Sequence, residues 1–343
     1  MNSTRAIAVL EASHVAEVRR RALAIAADIG LDEARAEETA IVISELGSNL
    51  LRHGDGGDIL LRRLARNDGA GGIEILALDN GPGMTSIPLC LQDGYSTVGG
   101  LGAGLGAVKR LASTFDLHTN PGIGTAVLAR MWPKTAHAAD RETAPLKIAG
   151  VCVPLPGLEA CGDAWAAAQT PGRSIIAVMD GLGHGPLAAE SARRVIEVFL
   201  DDPSQSPAET IRRSHPALHR MRGVAMAIAE VLPQRGEVRY AGIGNISGVI
   251  LAAGASHSMV SRYGIVGQEI RKIQEFTYDW PTGAVLIMHS DGLMSRWSLE
   301  DYPGLAARDP AVIAGVLYRD FSRRRDDVTV VVAAEPRNQD GAG

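Results

Sequence analysis

Eight consecutive residues, Gly99-Gly100-Leu101-Gly102-Ala103-Gly104-Leu105-Gly106, contain five glycines. Ordering so much glycine is entropically unfavourable, so a fold that keeps it must need bare backbone at that place. The stretch runs into Val108, Lys109 and Leu111 at helical spacing. Backbone N–H groups at such a helix start suit phosphate. The stretch lacks the Gly-Lys-Ser/Thr of a Walker loop, and no strand–helix–strand unit precedes it, so neither a P-loop nor a dinucleotide fold is expected.

Two further elements precede it. Residues 15–29 and 37–51 have apolar positions at helical spacing, and the second helix carries Glu45 and Asn49 four residues apart on one face. An amide oxygen can help hold magnesium, and a carboxylate one turn earlier can accept a proton or position a hydroxyl. Taken alone, ExxxN is ordinarily a solvated pair. Asp79 follows the apolar strand 73–78, and Asn80-Gly81-Pro82-Gly83 lets the backbone turn tightly beside a ligand. There a carboxylate can accept from an exocyclic amine. Strands are also expected over 58–66 and, as a hairpin, over 115–119 and 125–131, with a helix over 108–113.

In this order the three elements resemble the GHKL ATP-binding fold. The run 93–102, with Val108-Lys109-Arg110-Leu111 and Gly122-Ile123-Gly124-Thr125, is similar to the anti-sigma-factor and stressosome switch serine kinases. The resemblance implies ATP with Mg2+, Asn49 as metal ligand, Glu45 as base or positioning carboxylate, and Asp79 on the adenine. Gly81, Gly83, Gly102, Gly104 and Gly106 would shape the phosphate lid, with Lys109 and Thr125 as further nucleotide contacts. Sensor histidine kinases share the fold but need a helical hairpin with a phosphoacceptor histidine. Only about 35 residues precede the Glu45 helix, and His14 lacks that context, so a protein serine/threonine kinase is the expectation.

The second half carries no such glycine run. Instead Asp163, Asp180, Asp291 and Asp326 recur beside glycine or another small or polar residue, mostly at the ends of apolar strands such as 174–179, 284–289 and 328–333. One Asp-Gly is ordinarily a turn. Four oxygen-only ligands suit Mg2+ or Mn2+, and two such ions could polarise a phosphoryl group without a protein nucleophile.

Cys161-Gly162-Asp163, the run 179–185, His289-Ser290-Asp291-Gly292-Leu293 and Asp326-Asp327-Val328-Thr329 resemble the SpoIIE-type branch of the PPM serine/threonine phosphatases. Gly242-Ile243-Gly244-Asn245 fits the central strand turn of that branch. The resemblance implies two Mn2+ or Mg2+ ions held by Asp163, Asp180, the Gly181 carbonyl, Asp291 and Asp326, with Asp327 a less certain contributor. His184 and His289 are not assigned as ligands. The larger PPM enzymes carry a phosphate-binding arginine near the start of their domain, and it has no evident equivalent here.

The expected fold class is therefore α+β: an N-terminal GHKL (Bergerat) α/β sandwich, residues 1–134, then a PPM-type αββα sandwich, residues 146–335. Residues 135–145 are expected as a linker and 336–343 as a disordered tail. Hydrophobic content of 46% suffices for two cores, and a formal charge of -5 argues against nucleic-acid binding. Three cysteines without CxxC spacing exclude a disulfide framework or zinc site. No apolar run or basic leader points to a membrane or to secretion, so a cytoplasmic protein is expected.

The combined expectation is a bifunctional partner-switching regulator. It would phosphorylate Ser/Thr on a STAS-domain antagonist, dephosphorylate the same kind of protein, and so control a sigma factor or stress-response pathway. The alternative is a non-catalytic, ATP-dependent partner-binding module, holding a sigma factor or downstream phosphatase, fused to an active phosphatase. A third reading has the ATP domain only sensing nucleotide. The resemblance also allows a homodimer.

Overall fold

The computed structural model describes residues 4–66, 69–91, 104–134 and 144–336. Gly102 and the rest of the 93–102 run, residues 135–143 of the expected linker, and the tail from 337 lie outside the described residues. The chain forms two compact units. One comprises the described residues of Thr4–Asp140 together with Ser298–Arg319; the other comprises those of Arg141–Trp297 and Asp320–Gly343.

In the first unit, strands β1 (Thr4–Val9), β2 (Gly57–Ala65), β3 (Gly71–Asp79), β4 (Thr114–Asn120) and β5 (Gly124–Met131) make one sheet, in the order β1-β2-β3-β5-β4. All its pairings are antiparallel. Helices α1 (Ala12–Asp28), α2 (Glu33–His53), the short α3 (Ile87–Cys90) and α4 (Gly104–Leu111) join them. The two-residue period of β3 shows how the layers form. Ile73, Ile75 and Ala77 share a core with Val18 and Ala22 of α1, Ile43 and Leu46 of α2, and Val108 of α4. Glu74, Leu76 and Leu78 are buried on the other face. There α7 (Pro310–Phe321), a helix that composition did not announce, approaches so closely that a Cβ on Gly315 would lie 2.4 Å from Leu76 Cδ2.

A ladder of charges crosses that second face. Arg62 donates to Glu74 at 2.8 Å, Arg130 donates to Glu74 at 2.7 Å, and Arg130 also forks onto both oxygens of Asp309 at 2.9 and 2.7 Å. Burial disfavours the Glu74 carboxylate, but the Arg62 and Arg130 guanidiniums outweigh that and hold its pKa below the ordinary 4.5. Arg35, near the start of α2, donates to the carbonyls of Trp132 and Leu111, to Glu38 and to Ser113, tying α2 to the last turn of α4 and the end of β5.

The second unit stacks two antiparallel sheets. One is ordered β13 (Phe276–Asp279), β10 (Glu237–Ile243), β9 (Val224–Leu232), β8 (Arg173–Gly181), β7 (Asp163–Thr170). The other is ordered β12 (Ala255–Met259), β11 (Ser247–Ala252), β14 (Val285–His289), β15 (Val328–Ala334), β6 (Lys147–Val153). Ile176 and Val178 of β8 join Leu286, Met288 and Val331 in the core between the sheets. Ile175, Ala177 and Met179 point the other way, onto Val195 and Phe199 of α5 (Pro186–Asp201) and Ile211 of α6 (Pro207–Ala217). No described helix is long and apolar enough to cross a membrane.

Candidate functional site

In the first unit, α2 begins where Asp32 accepts a hydrogen bond from the Arg35 N–H at 2.7 Å. The helix runs unbroken through Glu45 and Asn49, which share a half-buried face as their spacing predicts. Its last turn meets the Asp79 loop. A Cβ on Gly54 would lie 2.7 Å from Asp79 Cβ, and one on Gly81 would lie 2.6 Å from the His53 carbonyl oxygen. Glycine at both positions lets Asp79 sit against the helix one turn beyond Asn49. Gly54 has no signature in the sequence that marks this contact.

Asp79 ends β3. Its Oδ1 accepts from the N–H groups of Gly81 at 2.9 Å and Thr125 at 3.1 Å. Both bonds use one oxygen, and among the described residues no hydrogen bond reaches Oδ2. Burial pushes the carboxyl up from its ordinary value, against these two N–H groups. The loop is held from the hairpin side, where the Met84 N–H donates to Thr119 Oγ1 at 2.8 Å and Gly122 N–H to the Pro82 carbonyl at 2.8 Å. Gly83 lies in that loop. Gly104 and Gly106 open α4, which starts earlier than the 108–113 expected and ends at Leu111. Lys109 is exposed.

In the second unit the expected acids meet at one edge of the stacked sheets. Register pairs Asp163, at the start of β7, with Asp180, at the end of β8. Asp291 follows β14 and Asp326 precedes β15. Asp163 is buried, and burial together with Asp180 raises its pKa well above the ordinary value. Asp180 is pushed up to about 7 by burial and by Asp291 and Asp326. These carboxylates therefore lie within Coulomb range of one another. Among the described residues no group of three or more His, Cys, Asp or Glu side chains is arranged to hold a metal ion as it stands. Oxygen-only, mutually repelling carboxylates suit hard divalent ions such as Mg2+ or Mn2+.

Neighbours hold the acids in place. Ser290 Oγ donates to Asp163 Oδ2 at 2.5 Å and accepts from the Thr329 N–H at 3.0 Å. Asn245, in the turn after β10, donates to Asp291 Oδ2 at 2.8 Å. Asp327 accepts from the N–H groups of Leu155 and Gly162, both at 2.7 Å, one with each oxygen. It thus ties the segment after β6 to the residue before Asp163. His289 is buried with both ring nitrogens engaged, Nδ1 with the Ser290 carbonyl at 2.9 Å and Nε2 as acceptor from Trp297 at 3.3 Å. His184 is exposed in the loop after Gly181.

Fold and site define a GHKL-type ATPase domain joined to a PPM-type phosphatase fold. The Histidine kinase-like ATPase domain model matches residues 8–131 and the Stage II sporulation protein E (SpoIIE) model residues 170–335. Over its N-terminal part the chain belongs to the family of Serine/threonine-protein kinase RsbT of Bacillus subtilis (strain 168): it is 33% identical over 132 residues, covering 38% of this chain and 98% of that relative. The C-terminal part is similar to Phosphoserine phosphatase RsbX of the same organism, 25% identical over 179 residues, 51% of this chain and 88% of RsbX. Among solved structures, a chain from work on the bacterial stressosome as a modular system adapted to control secondary messenger signaling is 28% identical. Its TM-score is 0.51, over 55% of this chain and 98% of that one. The crystal structure of RsbX in complex with magnesium has a TM-score of 0.50 at 23% identity, over 56% of this chain and 96% of that one.

Proposed function

We propose that the chain is a bifunctional partner-switching regulator. The N-terminal half transfers phosphate from ATP to a serine or threonine of a STAS-domain antagonist. The C-terminal half hydrolyses the phosphoester of the same class of protein, and the balance sets a sigma factor or stress-response pathway. The observation that carries this reading is that two separate constellations coexist on one chain: the Glu45–Asn49 face against Asp79, and the four-carboxylate edge of the second unit.

In the first site, Asp79 Oδ2 would accept from the adenine amine, and Asn49 would hold Mg2+ with the nucleotide phosphates. Glu45 would accept or orient the proton of the incoming hydroxyl. Gly81, Gly83, Gly102, Gly104 and Gly106 would let backbone approach the phosphates, beside Lys109 and Thr125. In the second site, Asp163, Asp180, the Gly181 carbonyl, Asp291 and Asp326 would hold Mn2+ or Mg2+. When bound, such ions lower the pKa of water and polarise a phosphoryl group. Ser290, Asn245 and Asp327 keep the carboxylates aimed at the edge. Kinship to a kinase and a phosphatase, and likeness to a stressosome chain, support the partner class.

The test uses the full chain with ATP, Mg2+ and a candidate STAS protein, followed by intact mass. Asp180→Ala should accumulate an 80 Da adduct (roughly one phosphoryl group) that the wild type removes. No transfer by either protein sinks the kinase reading. Unchanged dephosphorylation by Asp180→Ala or Asp291→Ala sinks the metal-site reading. Glu45→Ala that binds the STAS protein as the wild type does, in a chain whose wild type never transfers phosphate, would establish the partner-binding alternative.

A further inference from the structure

Resting on the phosphatase reading, we infer that Arg222 is the side chain that takes the phosphoryl oxygens of the substrate. Divalent ions held by the four carboxylates would offset their charge, and a guanidinium fixed beside them would grip the phosphoryl oxygens with directional hydrogen bonds. The register of the sheet supplies one. Asp163 pairs with Asp180, Asp180 with Ala225 and Gly181 with Val224, so the residues just before β9 lie on the same edge as the acids. Those residues are Arg222 and Gly223. The Leu182 N–H donates to the Gly223 carbonyl at 2.9 Å, and Arg222 Nη1 donates to the Leu182 carbonyl at 3.1 Å.

This bond anchors the guanidinium on the loop that starts at Asp180-Gly181. Gly183 makes room for it: a Cβ there would stand 2.6 Å from Arg222 Nη1, and its φ of +81° suits glycine. Arg222 is exposed, and among the described residues no carboxylate lies within ion-pair distance of it. One N–H is spent on Leu182, and the rest of the planar fork is available for two phosphoryl oxygens at once. Three other arginines of this unit have side-chain partners elsewhere: Arg173 with Glu230, Arg262 with Gln274, and Arg239 with Glu237. Arg325, beside Asp326, is exposed and serves as the comparator.

The experiment reads binding as well as turnover, in the full chain with Mn2+. Inorganic phosphate is titrated calorimetrically into wild type, Arg222→Gln, Arg222→Lys and Arg325→Gln. Initial rates are measured on a phosphoserine peptide. Arg222→Gln should weaken phosphate binding and raise KM by about tenfold to a hundredfold, as expected for a lost charge-assisted pair. Its Mn2+ affinity and melting temperature should stay unchanged, and Arg222→Lys should recover part of the loss. Phosphate affinity unmoved in Arg222→Gln, or moved only in Arg325→Gln, overturns the assignment. So does a fall in kcat and Mn2+ affinity with KM intact, the pattern of a loop staple. A wild type that binds phosphate through Arg222 but hydrolyses no phosphopeptide would refute the phosphatase reading and leave this one standing.

Discussion

Gly47 stands between Glu45 and Asn49 in the middle of α2, where local propensity and tertiary packing make opposite demands. On propensity alone, Gly47→Ala should stabilise the helix by about 1 kcal/mol. The packing forbids it. A Cβ at Gly47 would lie 2.8 Å from both Cγ atoms of Val15 on α1, well inside contact distance. Val15 is β-branched and stiff, so relief requires α1 and α2 to part by several tenths of an ångström. Overpacking of this kind costs about 1–3 kcal/mol, so the net change should be a loss of up to about 2 kcal/mol. That corresponds to a melting shift of roughly 2–8 °C. Because α2 presents Glu45 and Asn49, the same shift should weaken binding of a fluorescent ATP analogue.

The decisive assay is a double-mutant cycle with Val15→Ala, read by thermal unfolding and nucleotide titration. Val15→Ala alone loses about 1 kcal/mol from a half-buried side chain. In the double variant the two methyl groups that the new Cβ would strike are gone. It should therefore be more stable than the sum of the singles by about 1 kcal/mol or more. A Gly47→Ala chain that melts higher than wild type, or strict additivity in the cycle, would show that the helices do not meet as described.

Three other outcomes follow from the same geometry. Asp79→Asn keeps an acceptor for the Gly81 and Thr125 N–H groups but can place an amide N–H where Oδ2 stood, so ATP affinity should fall about tenfold or more with little change in melting. Glu74 has a folded-state pKa held below 4.5, so its contribution is complete above that value and is lost as pH falls toward the lower folded value; acid unfolding monitored by circular dichroism should be less steep over that window in Glu74→Gln. Asp327→Ala removes the acceptor of two buried N–H groups and should destabilise the second unit by about 1–3 kcal/mol in urea, whereas exposed Asp326→Ala should leave stability alone and change the Mn2+ dependence of hydrolysis.

What the chain disclosed in advance was carried by local chemistry. The 3.6-residue period of α2 placed Glu45 and Asn49 on one face, and apolar runs ending in aspartate marked β3 and β8 correctly. What stayed hidden was made by distant partners. Strand β7 reads Asp163-Ala164-Trp165-Ala166-Ala167-Ala168, alanine-rich with Trp165 the one strong strand former among these residues, and it is a strand because it pairs along its length with β8. Asp327 was expected as a less certain ligand, and nothing near it in sequence reveals that Leu155 and Gly162 bring their N–H groups to it. Arg35 reads as one more charge on a polar helix, and only the folded chain brings it the carbonyls of Leu111 and Trp132. The role of α7 was equally hidden, since its all-round apolarity does not say which sheet it covers.

That covering has a bearing on ancestry and on dissection. RsbT and RsbX are separate chains, and a simple joining of two such genes would leave one seam, near residues 135–145. Here Ser298–Arg319, which in the chain falls between Asp291 and Asp326, completes the sheet of the first unit: Asp309 grips Arg130, and Arg319 Nη1 donates to the Asp79 carbonyl at 2.8 Å. The polypeptide thus leaves the second unit and returns to it, and no single cut yields two whole pieces. A fragment ending at residue 134 would therefore bare Leu76 and Leu78.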